Sequence, residues 1–301
     1  ESSPAGPSAA GPSAAGPESS ASKNLDPAAA ETLAKFHGKE IEGITKLGDL
    51  RRRKGGKVCF TINEMMYFRP EDKDAFTAVF KAELDGDLVA VKAHISKGKR
   101  MGSGLYREAH ILSSLSNLEH FIHLRGYVEV ETSLETSCFL IMQYVPMNLA
   151  QLAGKITDEG YLCKIIRSAI DVLQVLHHRA ERLHMDIKPA NFLVDEDGNV
   201  ILCDFGDSEK SRDKPEKKYP LGTVAWRSLN QDIKALDKRS TKNVRNDDLE
   251  ALGYTFATLV GGAGALPWFV LACKCAGSGS REDLMELIKM KQERKFIFPP
   301  S

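Results

Sequence analysis

The sequence predicts an α+β fold, on three observations. Short β-rich runs come in pairs around Asp-Gly turns, an amphipathic helical stretch follows the first pair, and Arg281 to Lys291 reads as a helix near the end. The first pair is Phe76 to Ala82 and Leu88 to Lys92, around Leu84-Asp85-Gly86-Asp87. In the helix that starts near Ser103, Leu105, Ala109, Leu112 and Ser116 share a face, and Glu108 adjoins it. Phe139 to Val145 is a further strand-like run. The second pair is Phe192-Leu193-Val194 and Val200 to Cys203, joined by Asp195-Glu196-Asp197-Gly198-Asn199.

Residues 1 to about 30 repeat Ala-Gly-Pro-Ser with almost no large apolar side chain, a composition that cannot offset its own ordering entropy, so a disordered tail is expected there. It has neither the cationic start nor the apolar centre of a signal peptide. The chain as a whole is 42% apolar, enough for a sizeable core. Lysines and arginines balance aspartates and glutamates at 41 each, so a general polyanion-binding role has no support. Arg51 to Lys57 therefore reads as a solvated charge run ahead of the first strand, not as a nucleic-acid patch. Six cysteines without a C-x-x-C pair suggest reduced thiols and a cytoplasmic or nuclear setting. The uncharged stretch Ala251 to Cys273 has the length of a membrane span, but Gly261 to Gly264 and Pro267 interrupt it, and no membrane insertion is expected.

His184-Met185-Asp186-Ile187-Lys188-Pro189-Ala190-Asn191, then Asp204-Phe205-Gly206 after the second hairpin, carry the chemistry. The hairpin returns the chain to its starting edge, which brings Asn191 beside Asp204. Two oxygen-bearing side chains so placed suit Mg²⁺, which takes hard ligands and keeps the rest of its shell for water and phosphate. These segments resemble the H-R-D-x-x-x-x-N catalytic loop and D-F-G metal motif of eukaryotic protein kinases. Val89-Ala90-Val91-Lys92 resembles the V-A-I-K strand of that family. Gly222 to Asn230, Arg245 to Tyr254 and Leu266-Pro267-Trp268 resemble the casein kinase 1 group, with Ser228-Leu229-Asn230 where most kinases have Ala-Pro-Glu. The resemblance covers roughly residues 60 to 295.

It implies a two-lobed fold: a small antiparallel β lobe with one main helix over residues 57–145, and a larger, mainly helical lobe over 146–301. The large lobe is expected to be incomplete, because a kinase usually continues for two more helices. The resemblance also implies an ATP- and magnesium-dependent serine/threonine kinase acting on protein hydroxyls. Asp186 would be the base, Lys188 would neutralise charge on the transferring phosphoryl group, and Lys92 paired with Glu108 would hold the α- and β-phosphates. Asn191 and Asp204 would hold metal. Val79, Ala90 and Leu193 would sandwich the adenine, with Met142 behind it and Gln143 to Val145 along its edge. Asp248 would fix the backbone of the catalytic loop.

Two departures stand out. Asp72, Asp74 and Thr77 align with the glycines of the phosphate-covering loop, where carboxylates have the wrong charge. Met185 replaces the arginine that pairs with a phosphorylated activation loop, which leaves Ser208 and Ser211 as possible phosphosites with no obvious cation. An alternative stays open: a pseudokinase that binds nucleotide or partners without efficient transfer. A small-molecule phosphotransferase is disfavoured by Lys188-Pro189 and by Ser228 to Asn230.

Overall fold

A computed structural model describes residues 31, 34, 36–38, 40–48, 57–72, 75–97, 103–131, 135–211, 220–237, 242–278 and 280–296. The expected tail, the Arg51 to Gly56 run and Asp74 lie outside them. The small lobe contains β1 (Glu40–Gly48), β2 (Lys57–Asp72), β3 (Ala75–Leu84), β4 (Asp87–Lys97), β5 (Leu124–Glu131) and β6 (Glu135–Gln143). They close into a barrel in the order β1-β2-β3-β4-β6-β5, all antiparallel. Closure leaves no free edge in this sheet.

Strand β1 is a correction to the sequence reading, which begins the small lobe at residue 57. It pairs with β2 on one side and with β5 on the other. Alternation sorts the residues of β3 and β4 into two faces. Ala78, Phe80, Ala82, Val89, Val91 and Ala93 fill the barrel with Phe60 and Phe139. Thr77, Val79, Ala90 and Lys92 point the other way, toward the second lobe. The turn between the strands has Asp85 at φ 55° and Gly86 at φ 85°, two left-handed residues in succession, as a two-residue hairpin of this twist requires. At the β2–β3 tip only Asp72 pairs with Ala75; Thr77 is buried in mid-ladder between Arg69 and His94. Thr77 is therefore a sheet residue and not part of a loop open to phosphate.

Helix α1 (Ser103–Leu115) buries Leu105, Ala109 and Leu112, the face read from the sequence. The large lobe follows through β7 (Met147–Asn148), α2 (Leu149–Leu152) and α3 (Glu159–His178). Asn148 and Gln151 form a reciprocal capping box at the start of α2. Asp158 caps α3 through the Tyr161 N–H. Strands β8 (Arg182–Leu183), β9 (Phe192–Val194), β10 (Val200–Leu202) and β11 (Glu209–Lys210) frame the loops between the lobes. The expected β9–β10 hairpin forms with Val194 opposite Val200, and Asp195 accepts the Asn199 N–H at 2.8 Å.

The chain continues through α4 (Leu229–Asp237), α5 (Arg245–Gly261), α6 (Phe269–Ser278) and α7 (Arg281–Glu293). The uncharged stretch splits at Gly262, and its second half corrects the sequence reading. The kinase resemblance implies that this second half is a loop carrying Leu266-Pro267-Trp268, but Phe269 begins helix α6. Trp268 is fully buried, with its indole N–H on the Ala225 carbonyl at 2.8 Å. No described helix is long and apolar enough to cross a membrane.

Phe36 packs against Phe80 and Phe139 at 6.2 Å in each case and plugs the barrel from the N-terminal side. Phe36→Ala should lower the unfolding free energy by about 3 kcal/mol, as is usual for a buried phenylalanine truncated to a cavity. Urea denaturation of the variant beside the parent measures it.

Candidate active site

Strand β4 presents Lys92 to the cleft, and helix α1 brings Glu108 beneath it. The lysine ammonium lies 2.8 Å from Glu108 Oε2 and 2.7 Å from Asp204 Oδ1. Burial alone would lower the lysine pKa, but the two carboxylates overcome it and hold the ammonium protonated well above the usual lysine range. Glu108 is shifted upward by burial, with Lys92 opposing that shift. Its second oxygen accepts the Phe205 N–H at 3.1 Å. One carboxylate thus ties the small lobe to the loop that carries Asp204. Phe205 is fully buried against Phe121 and His184, which fixes the turn around it. Asp204 has φ 63° and ψ 71°, a left-handed conformation that costs a non-glycine residue about 1 kcal/mol or more and persists only when its surroundings impose it.

The catalytic loop is held from below by Asp248. Its buried carboxylate accepts the His184 N–H at 2.7 Å, the Met185 N–H at 2.8 Å and a contact from His177 Nε2 at 2.8 Å. Met185 has φ 69°. Asp248 sits in the first turn of α5, where the helix N-terminus also favours negative charge. The opposite side of the same loop needs a glycine. Gly222 has φ 88°, and a Cβ there would lie 2.6 Å from the Met185 carbonyl oxygen.

Above this floor, Asp186 is fully engaged. Oδ2 receives the Lys188 ammonium at 2.7 Å, and Oδ1 receives both the N–H and the hydroxyl of Thr223 at 2.7 Å. Lys188 also donates to Thr223 Oγ1 at 2.9 Å, and Asn191 Nδ2 to the Asp186 carbonyl at 2.8 Å. Burial alone would raise the Asp186 pKa, but Lys188 more than offsets it and holds the carboxyl below the usual carboxylate range. Asp204 is likewise lowered, with Lys92 and Lys188 outweighing burial. The result is a bed of two aspartates and two lysines in fixed charge states.

Asn191 and Asp204 come together as the hairpin requires, since the Cys203 N–H donates to the Asn191 carbonyl at 3.0 Å. The Asp204 side chain is 39% exposed, and both residues offer hard oxygen donors. Among the described residues no cluster of three or more His, Cys, Asp or Glu is gathered for a metal. A sparse oxygen site of this kind fits magnesium held partly by substrate phosphates, which needs only one or two protein ligands. Met142 and Val145 are buried, while Val79, Ala90 and Leu193 are partly open to the cleft. The Gln143 N–H is already spent on the His123 carbonyl at 2.9 Å, so that donor is not offered to a ligand edge. Cys203 is an inert neighbour, because burial and then Asp204 push its thiol well above the usual range.

Three features escaped the sequence reading. Thr223 touches both Asp186 and Lys188, but its short side chain is ordinary in sequence and only its place after Gly222 hints at a role. Met185 is not merely a lost arginine: it is buried with Leu183 and Leu221 in a small apolar cluster that joins the catalytic loop to the segment beyond residue 220. Ser208, read as a possible phosphosite, is fully buried and donates to the Leu183 carbonyl at 2.8 Å, which corrects that reading. Arg107 of α1 holds the carbonyls of Gly206 and Ser208 at 3.1 and 2.5 Å. Glu209, Asn243 and Gln231 then link β11 to the Leu221 N–H through buried hydrogen bonds.

Residues 74–269 match the protein kinase domain family. The chain belongs to that family. Similar proteins include the dual specificity mitogen-activated protein kinase kinase jkk-1 of Caenorhabditis elegans, 27% identical over 75% of this chain and 52% of that protein. Mitogen-activated protein kinase kinase kinase 18 of Arabidopsis thaliana is 30% identical over 61% of this chain and 53% of its own length. Hemipterous, a dual specificity mitogen-activated protein kinase kinase of Drosophila melanogaster, is 30% identical over 40% of this chain and 10% of its own. The chain thus spans about half the length of two of these relatives and a tenth of the third. They are kinases of the MAP kinase cascades, so the narrower resemblance to casein kinase 1 is not supported by them.

Met185 lies in an apolar cluster and Ser208 is buried, so neither supplies the arginine–phosphate pair of a phosphorylation switch. Phosphatase treatment should leave any transfer rate within about twofold of the untreated protein, less than about 0.5 kcal/mol of barrier. Mass spectrometry before and after treatment, with rates on the same samples, checks this.

Proposed function

We propose that the chain is a serine/threonine protein kinase that transfers the γ-phosphoryl group of Mg-ATP to protein hydroxyls. One observation carries the reading: the Lys92–Glu108 pair, Asp204 and the Asp186–Lys188–Thr223 cluster are assembled in one cleft, with every charged partner within 2.8 Å. Asp186 orients the acceptor hydroxyl and takes its proton, and its lowered pKa keeps it in the basic form. Lys188 offsets charge on the phosphoryl group in flight. Lys92, placed by Glu108, receives the α- and β-phosphates. Asn191 and Asp204 hold magnesium, which when bound neutralises the phosphate oxygens. Val79, Ala90 and Leu193 form the adenine walls, and Met142 closes the back. Lys188, at the Lys-Pro-x-Asn position, supports the serine/threonine class by family resemblance. Ser228 to Asn230 remains the residue-level argument for a casein kinase 1 type of chain, against the MAP kinase kinase character of the relatives.

The rival is a nucleotide-binding pseudokinase, favoured by the acid at the β2–β3 tip, where Asp72 pairs with Ala75. Purified protein with Mg-ATP and a mixed serine, threonine and tyrosine peptide array separates the two. Transfer to serine or threonine supports the proposal; a thermal shift with Mg-ATP but no transfer supports the rival. Asp204→Asn and Lys92→Met should each remove detectable transfer and leave the far-ultraviolet circular dichroism unchanged. A variant that kept more than about a tenth of the parent rate would limit that residue to ~1.4 kcal/mol of barrier, too little for the role assigned.

A further inference from the structure

Leu221 to Ser228 carries Thr223 to Asp186, and a void of only about 10 Å³ lies among Met185, Leu221, Thr223, Ser228, Gln231 and Asp248. This backbone is gripped by Lys291, a residue of helix α7 with no exposed side-chain area. Its ammonium donates to the Val224 carbonyl at 2.9 Å, the Arg227 carbonyl at 2.6 Å and Asp232 Oδ2 at 2.7 Å. An ammonium has three N–H donors, and all three are used. Asp232 Oδ1 in turn accepts from Arg227 Nε at 2.7 Å. The rings of Tyr254 and Trp268 lie 5.6 and 5.9 Å from the charge and present it with further negative potential.

Desolvation makes a fully buried ammonium expensive, and here it lowers the lysine pKa even with Asp232 alongside. An apolar side chain of the same length would fill the space at less cost. What it could not do is hold two carbonyls of one segment at fixed positions. Val224 directly follows Thr223, so the grip lies one residue from the contact on Asp186.

We propose that Lys291 is a positioning residue for phosphoryl transfer, holding the Val224–Arg227 backbone so that Thr223 meets Asp186 and the acceptor hydroxyl is presented in line. The proposal rests on the kinase reading above. It acts on the acceptor side alone, because the residues assigned to nucleotide sit on β3, β4, β6, β9, α1 and the Asp204 loop, none of which Lys291 touches. A residue that served only general stability would depress nucleotide and acceptor parameters together.

The test uses the 301-residue chain with Lys291→Met, a substitution of similar length that removes all three donors. At saturating Mg-ATP, kcat/KM for an acceptor peptide should fall by about tenfold or more, while the Kd for Mg-ATP stays within about twofold of the parent. Lys291→Arg, which keeps charge and donors, should lose less than the methionine variant. A second readout does not depend on activity. The Trp226 and Arg227 amides donate to the Thr223 carbonyl, and in Lys291→Gln their hydrogen exchange should quicken by about tenfold, with the barrel amides unchanged. A folded Lys291→Met protein with acceptor kcat/KM near the parent value overturns the proposal, as does an equal loss in nucleotide affinity. Unchanged exchange in Lys291→Gln overturns it even if the methionine variant does not fold. A parent without transfer would remove the kinase reading, and the exchange result would still judge the grip.

Discussion

The buried carboxylate of Glu108 is the constraint on which the site depends. It is 1% exposed, and each of its oxygens has a donor: the Lys92 ammonium on one and the Phe205 N–H on the other. A carboxylate in such a place is stable only while both partners remain, because losing either leaves charge or a polar group unpaired at a cost of several kcal/mol. The two partners belong to different parts of the chain, one to the barrel and one to the loop between the lobes. Helix α1 therefore cannot drift without breaking both. The barrel supplies the rigid wall that makes this possible, since Lys92 lies on a strand paired on both sides, opposite Val79 and Leu140.

A second layer of order concerns the segment between Asp204 and Ser228. Its start is tied by Arg107 and by Glu209 with Asn243; its end is tied by Gln231, by the Met185 cluster and by Lys291. These contacts are buried hydrogen bonds and apolar packing, not exposed ion pairs. Met185 illustrates the exchange well. Where an arginine would need an anion to satisfy it, a methionine needs only apolar neighbours, and Leu183 and Leu221 provide them. The buried ring of Phe205 and the Asp248 carboxylate complete the same design from below.

Much of this was legible in the sequence, and the reason is local chemistry. Asp85-Gly86 announced its hairpin because few residue pairs tolerate left-handed backbone in succession, and Gly198, at φ 80°, marked the second. The apolar face of α1 announced itself by period, and Glu108 followed from its place beside that face. Asp186, Lys188, Asn191 and Asp204 were singled out by resemblance to kinase motifs, and the hairpin signal between the two segments placed Asn191 beside Asp204. The features that stayed hidden depend on contacts between distant residues. Strand β1 contains Gly43, which breaks its apolar alternation, and its second partner, β5, lies far along the chain, beyond helix α1. Lys291 is one lysine among many until α7 packs against α4. Ser208 looks exposed in a polar run, and only the fold shows that β8 and β11 bury it. Helix α6 was hidden by the Pro267 signal just before it, which marks a boundary but does not distinguish a loop from a new helix on its far side.

Glu108 holds Lys92 and the Asp204 loop together, and a single substitution tests the role proposed for it. Glu108→Gln keeps the shape of the side chain and removes its charge, so phosphoryl transfer by this variant is measured together with its Kd for Mg-ATP. The transfer rate should fall by about tenfold or more and Mg-ATP should bind more weakly, with the fold retained by circular dichroism. A folded variant with the parent's rate and the parent's nucleotide affinity would contradict the role assigned to Glu108.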